Sequence, residues 1–212
     1  GRERGGAGHP PGGEEPGQRC ESALAKSENY DYERRQPDYW IYEKDSALTD
    51  LWGVERLRPP EIEYFVVDTN PWWRDKPMHP LPSYRRWAFN IILQRMKRGL
   101  APVVMLRGPR QVGKTTLQEQ VIEYLLREEK VDPRRILRVQ FDEIPSLRGI
   151  KDPILKLCRW FENTKLGKTF NTAAQEGTPA YLFFDEVQNL EEWAPQVKSL
   201  VDNHAVRVLV TG

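Results

Sequence analysis

Gly108, Pro109, Arg110, Gln111, Val112, Gly113, Lys114 and Thr115 match the spacing G-x-x-x-x-G-K-[ST], the strongest single constraint on how this chain can fold. The two glycines let the backbone curl until successive N–H groups point at one spot, where a polyphosphate can sit. Lys114 then reaches the β- and γ-phosphates, and the Thr115 hydroxyl is a ligand for Mg²⁺. Such a loop belongs between a strand and the N-terminus of a helix, whose dipole favours anions. The flanks supply both: Pro102 to Leu106 is a short apolar run, and Thr116 to Glu128 has helical periodicity. The plainer reading is a glycine turn joining those two elements. The flanks favour a nucleotide site, with Gly108 through Thr115 and then Thr116 as its candidate contacts.

The acidic half of such a site lies about 70 residues downstream, at Phe183-Phe184-Asp185-Glu186. An acid ending an apolar strand holds Mg²⁺ in phosphate-loop proteins, usually through water. A glutamate directly after it can accept a proton from, or orient, the water attacking the γ-phosphate. Asp185 and Thr115 are therefore the candidate metal residues, and Glu186 and Lys114 the candidate catalytic ones. The plainer reading makes Asp185 a helix cap and Glu186 a solvated side chain. An acid pair of this kind separates hydrolases from small-molecule kinases, and the chain shows no Asn-Lys-x-Asp guanine-reading motif. ATP is the expected nucleotide.

Composition sets the remaining bounds. Thirty-two Lys and Arg against 31 Asp and Glu leave a formal charge of +1, so no global field argues for nucleic acid or a membrane surface. The basic clusters at 85–98 and 134–138 read as charged helix faces. Cys20 and Cys158 lie far apart in unlike settings, which suits a reducing cytoplasm, and His9, His79 and His204 have no metal-ligand spacing. No apolar run approaches the roughly 18 residues of a membrane span.

Along the chain, residues 1–22 are Gly-, Arg-, Glu- and Pro-rich, a composition that predicts disorder. Residues 23–80 form a charged extension with aromatic islands such as Tyr39-Trp40-Ile41-Tyr42. Within it Glu63 to Asp68 reads as a short strand, and Asn70-Pro71-Trp72-Trp73-Arg74 as a loop. Residues 81–212 carry the core. Its first helix is expected over Pro82 to Lys97, with Tyr84, Trp87, Ala88, Ile91 and Ile92 facing inward and Gly99 as its stop. Ile136 to Phe141 reads as a second strand. Asp152 is expected to cap a helix begun by Pro153 and lined by Ile154, Leu157, Cys158 and Phe161. Residues 163–178 read as a loop, Ala180 to Phe184 as a doubly buried strand, 194–203 as a helix and Val206 to Val210 as the last strand. Strands alternating with helices predict an α/β, doubly wound parallel sheet.

Leu106-Arg-Gly-Pro-Arg-Gln-Val-Gly-Lys-Thr-Thr-Leu117, Phe184-Asp-Glu-Val-Gln-Asn189 and Val208-Leu-Val-Thr-Gly212 together resemble one family of prokaryotic AAA-type ATPases. The resemblance covers roughly residues 70–212. It implies a P-loop three-layer sandwich with strand order 5-1-4-3-2, Lys114 and Thr115 as the Walker A pair, and Asp185 and Glu186 as the Walker B pair. The strand ending at Thr211 would bear the sensor-1 polar residue. Members of that family continue beyond the position of Gly212 into a fifth strand, arginine-bearing helices and a nuclease-like domain. On that basis the chain reads as an N-terminal fragment, with the first strand an exposed edge and turnover slow. Self-association or a protein or DNA client would be served by those further regions.

Several residues have two readings open. Arg107 and Arg110 either touch phosphates or face solvent. Gln188 either positions water or a partner, or starts a solvated turn. Trp72 and Trp73 either stack on adenine or pack against the domain. Arg85, Arg86, Arg95, Lys97 and Arg98 either meet nucleic acid phosphates or form a solvated face. Three functions follow in order: Mg²⁺-dependent ATP hydrolysis, a nucleotide-gated interaction switch in which hydrolysis is incidental, and a P-loop kinase.

Overall fold

The computed structural model describes residues 59–99 and 101–212. Its strands are the short apolar runs rich in β-branched and aromatic residues: β1 (Val103–Leu106), β2 (Ile136–Gln140), β3 (Tyr181–Asp185) and β4 (Arg207–Thr211). All pair in parallel, in the order β1-β4-β3-β2, with Val103 opposite Val208, Tyr181 opposite Arg207 and Ile136 opposite Tyr181. These are the last four positions of the expected order 5-1-4-3-2. Side chains alternate across the sheet, so each strand feeds two apolar layers. Leu137, Val139, Leu182, Phe184, Val208 and Val210 enter one, while Ile136, Tyr181, Phe183 and Leu209 enter the other.

Helices cover both faces. The first layer is closed by α1 (Pro59–Asp68), α4 (Pro153–Phe161), α5 (Phe170–Gln175) and α6 (Trp193–Asn203). The second is closed by α2 (Ala88–Arg98) and α3 (Lys114–Arg127). The result is the three-layer sandwich of a P-loop protein, with every strand pointing its C-terminus to one end. No helix among the described residues is long and apolar enough to cross a membrane.

Local expectations fail where long-range packing overrides local pattern. Glu63 to Asp68 is not a strand but the end of α1, whose buried face is Ile62, Val66 and Val67 while Tyr64 and Phe65 are exposed. That i, i+4, i+5 spacing is helical, and Pro59 and Pro60 suit a first helical turn. Helix α2 begins at Ala88, later than expected, because residues 82–84 are held in a lead-in: Gln120 Nε2 on α3 donates to Pro82 O at 2.7 Å and Tyr84 O at 2.9 Å. Its buried stripe is Phe89, Ile92, Leu93 and Met96, about one position on from the expected one, which leaves Tyr84 75% and Trp87 81% exposed. Gly99 does stop α2, in the left-handed region at φ 62°.

Residues 163–178 are not a plain loop. A π-helical turn over Glu162–Leu166 leads to α5, where Thr169 Oγ1 accepts from Thr172 N at 3.1 Å as an N-cap and Phe170 is fully buried. Asp152 occupies the N-cap position of α4 with φ 52° but its side chain makes no cap. The Ile154 N–H instead donates to Gln196 Oε1 on α6 at 2.9 Å, a cap supplied from 42 residues away. The predicted segment 1–22, and residues 23–58 of the predicted extension 23–80, lie outside the described residues.

Candidate functional site

The loop from Gly108 to Gly113 leaves the C-terminal end of β1 and enters α3 at Lys114. Two of its residues are left-handed, Gln111 at φ 61° and Gly113 at φ 82°. A Cβ on Gly113 would make only ordinary contacts, the nearest 3.6 Å away, so backbone conformation rather than space selects glycine there. At Gly108 a Cβ would meet only Val112 Cγ2 at 3.5 Å, and the fold by itself makes no demand for glycine. Lys114 Nζ folds back to donate to Gly108 O and Pro109 O, both at 3.0 Å, so the ammonium is held over the loop. The helix ladder begins with Leu117 N–H donating to Gly113 O at 3.0 Å, which leaves the N–H groups of Lys114, Thr115 and Thr116 free of it. Arg110 is exposed, and Arg107 Nε lies 2.9 Å from Met105 Sδ.

The acid pair stands two strands away, at the same end of the sheet. Asp185 closes β3 at 0% exposure, and Glu186 follows in the left-handed region at φ 52°. Thr211, the last residue of β4, joins the two halves. It stands opposite Leu106 of β1, its hydroxyl donates to Asp185 Oδ1, and it accepts from Glu186 N–H at 3.3 Å. The Glu186 carboxylate accepts from the Gln188 side-chain amide. Gln188 therefore contacts the candidate base rather than being simply solvated.

Behind the acid pair is a buried charge network the sequence reading does not anticipate. Arg138 on β2 is not on a charged helix face, as the 134–138 cluster suggested. It lies inside the sandwich, with Nη2 3.3 Å from Glu119 Oε1 and 3.6 Å from Asp185 Oδ2. It also donates to Gln140 Oε1 at 2.8 Å and Gln118 Oε1 at 3.4 Å. Burial pushes the Glu119 carboxyl above the usual carboxylate range, against the opposing pull of the Arg138 guanidinium. His79 Nε2 reaches the other Glu119 oxygen at 3.4 Å. A signal existed: an arginine inside the run Ile136-Leu-Arg-Val-Gln140 must find a partner or distort the strand.

Both tryptophans are packed into the domain. Trp72 Nε1 donates to Ile136 O at 3.2 Å, and Trp73 Nε1 to Ile136 O at 3.0 Å and Pro133 O at 3.1 Å. Trp73 stacks on Phe161 with centroids 5.8 Å apart. Ile136 begins β2, so both rings sit at the opposite end of the sheet from the phosphate loop. Just above them, Asn70 is fully buried and mimics a neighbouring strand. Its Oδ1 accepts from Arg138 N at 2.7 Å and its Nδ2 donates to Arg138 O at 2.7 Å. In the basic cluster 85–98, Arg85 of the lead-in to α2 stacks over Phe89 and Tyr124, and Lys97 of α2 pairs with Glu129 at 2.5 Å.

The donor set suits a hard divalent cation. Asp185 Oδ2 is buried without a hydrogen-bond partner, and the Thr115 hydroxyl makes no side-chain hydrogen bond among the described residues.

A parallel sheet with a glycine loop between its first strand and helix, and an acid pair ending another strand of the same sheet, defines the P-loop nucleoside triphosphatase class. Residues 101–212 match the AAA domain family, and the chain belongs to it, a family of nucleotide-binding ATPases. Among solved structures, PCH-2 of C. elegans is similar, with 16% identity and a TM-score of 0.35. That similarity covers 57% of this chain and 34% of the PCH-2 chain, so the chain spans about a third of that protein's length. No curated protein matches the chain.

Proposed function

We propose that the chain binds ATP with Mg²⁺ and hydrolyses the bond between the β- and γ-phosphates. The observation that carries this reading is the bridge Leu106–Thr211–Asp185, which ties the phosphate loop and the acid pair to one end of one sheet. Free N–H groups at the start of α3 would bind phosphate oxygens, with Gly108, Pro109, Arg110, Gln111, Val112, Gly113 and Thr116 forming the cradle. Lys114, already poised over the loop, would exchange its two carbonyl partners for the γ-phosphate. Thr115 and Asp185 would hold Mg²⁺, which neutralises charge on the β- and γ-oxygens. Glu186 would take the proton of the attacking water as its oxygen bonds to the γ-phosphorus. The bond to the β-phosphate oxygen then breaks, and ADP and inorganic phosphate are the products. A buried free thiol at Cys158 suits a cytoplasmic location.

A second reading has its own observation. The Glu186 carboxylate is engaged by Gln188 and the Asp185 carboxylate by Arg138 and Thr211, so the acid pair is already held by the protein. A nucleotide-gated switch would use those contacts to report occupancy. Glu186→Gln separates the two. An ATPase would keep ATP binding and lose single-turnover phosphate release, whereas a switch with incidental hydrolysis would behave as before. Lys114→Ala should abolish binding under either, and retained binding would sink both.

A further inference from the structure

Arg85 and Arg86 are adjacent in sequence but differently used. The Arg85 guanidinium is committed to the fold, 4.5 Å above the Phe89 ring and 5.4 Å from that of Tyr124. The Arg86 side chain has no hydrogen bond, ion pair or ring contact among the described residues. Its guanidinium nevertheless lies against the phosphate loop: a Cβ on Gly113 would stand 3.6 Å from Arg86 Nη2, 3.7 Å from Nε and 3.9 Å from Cζ.

The lead-in that carries Arg86 is anchored on three sides. Gln120 Nε2 of α3 holds Tyr84 O at 2.9 Å, Arg85 is stacked as described, and Phe89 N–H donates to Arg86 O at 2.9 Å. The first anchor is on the same helix that the loop enters, so Arg86 and the loop are positioned by one rigid element. The local charge is also one-sided. Lys114 is paired only with backbone carbonyls, and Arg86 and Arg110 have no acidic partner among the described residues. Asp185 and Glu119 are already engaged by Arg138. An arginine beside the phosphate loop with no acidic partner among the described residues is available to an anion that enters the loop.

We infer that Arg86 is a nucleotide-contacting arginine, supplied by the same chain from the lead-in to α2, that binds the polyphosphate at the Gly113 side of the loop. The inference rests on the nucleotide site proposed above. Its fork of N–H donors suits phosphate oxygens better than a lysine would.

The test is calorimetry with Mg²⁺-ATP and with AMP on the wild type, Arg86→Ala, Arg86→Lys and Lys114→Ala. Loss of one charge-assisted contact should weaken ATP binding about ten- to a hundredfold in Arg86→Ala, with partial recovery in Arg86→Lys. AMP, lacking the β- and γ-phosphates, should lose much less. The melting temperature without nucleotide should not move, since Arg86 supports nothing else. Arg86→Ala binding ATP as tightly as wild type, while Lys114→Ala does not bind, would overturn the role of Arg86 and leave the site standing. A nucleotide-free melting temperature lowered by Arg86→Ala would make the residue structural and also overturn it. Wild-type binding by Lys114→Ala would remove the site and this role together.

Discussion

Replacing Arg138 by methionine should be the most damaging single change at the centre of this protein. The substitution keeps an unbranched, largely apolar stem and deletes the guanidinium, with its charge and its donors. Two carboxylates then lose their cation: Asp185, whose side chain is 0% exposed, and Glu119, at 9%. Gln118 Oε1 and Gln140 Oε1 lose their donor as well. Breaking a buried ion pair from one side costs about 3–5 kcal/mol, because the remaining charge is left without compensation. For a chain of this size each kcal/mol lowers the melting temperature by about 2–4 °C, so a fall of about 6–20 °C is expected.

The pH dependence provides an independent check. Burial raises the Glu119 carboxyl and Arg138 lowers it, so removing Arg138 raises it further. A carboxyl raised in the folded state contributes stability below its unfolded value near 4.5, lost as pH rises through the folded value. The variant's deficit should thus be smallest near pH 4.5 and widen toward neutrality. Urea titrations at several pH values measure it directly. A deficit below about 1 kcal/mol at neutral pH, the scale of an exposed pair, or one independent of pH, would refute the idea that Arg138 compensates buried charge.

Other substitutions probe separate links. Asn70→Ala orphans both backbone groups of Arg138 and leaves the Val66 carbonyl, which Asn70 Nδ2 reaches at 2.6 Å, with the Thr69 hydroxyl as its remaining side-chain donor. It should cost about 2–4 kcal/mol in the urea midpoint, with activity per folded molecule retained. Gly113→Ala places a Cβ at φ 82°, which should cost about 1–2 kcal/mol and weaken ATP binding measured by calorimetry. Burial pushes the Cys158 thiol far above its usual range. In a Cys20→Ser background, alkylation at pH 8 should proceed only at the rate of opening, and rapid labelling of the native protein would contradict the packing around α4.

What the sequence revealed and what it hid have a common physical origin. The phosphate loop and Asp185-Glu186 were legible because their constraints are local, a few backbone angles and an acid ending an apolar run. The strand order followed from the family resemblance, and the alternation of strands and helices supports it. Arg138 was missed because its partners, Glu119 and Asp185, lie 19 and 47 positions away and only the sheet brings them together. The α2 stripe was misplaced because Trp87 and Ile91 have the right spacing but the wrong phase, and the clamp from Gln120 decides where the helix begins. Phe170 was overlooked because polar neighbours surround a single apolar residue that a Thr169 cap turns inward. Trp72 and Trp73 were left open in role because an indole suits a base or a core equally well, and only a partner for Nε1 chooses between them.

The two margins of the sheet differ in whether they can template another chain. At β2 the Ile136 carbonyl and both backbone groups of Arg138 are taken by side chains, the indoles of Trp72 and Trp73 and the amide of Asn70. Side chains have no backbone repeat, so a strand arriving there finds no ladder to extend. At β1, β4 is the only strand neighbour among the described residues, and Met105 is part-exposed on that margin. Strand addition, productive or aggregating, is thereby blocked beside β2, the margin farthest from the strand that launches the phosphate loop.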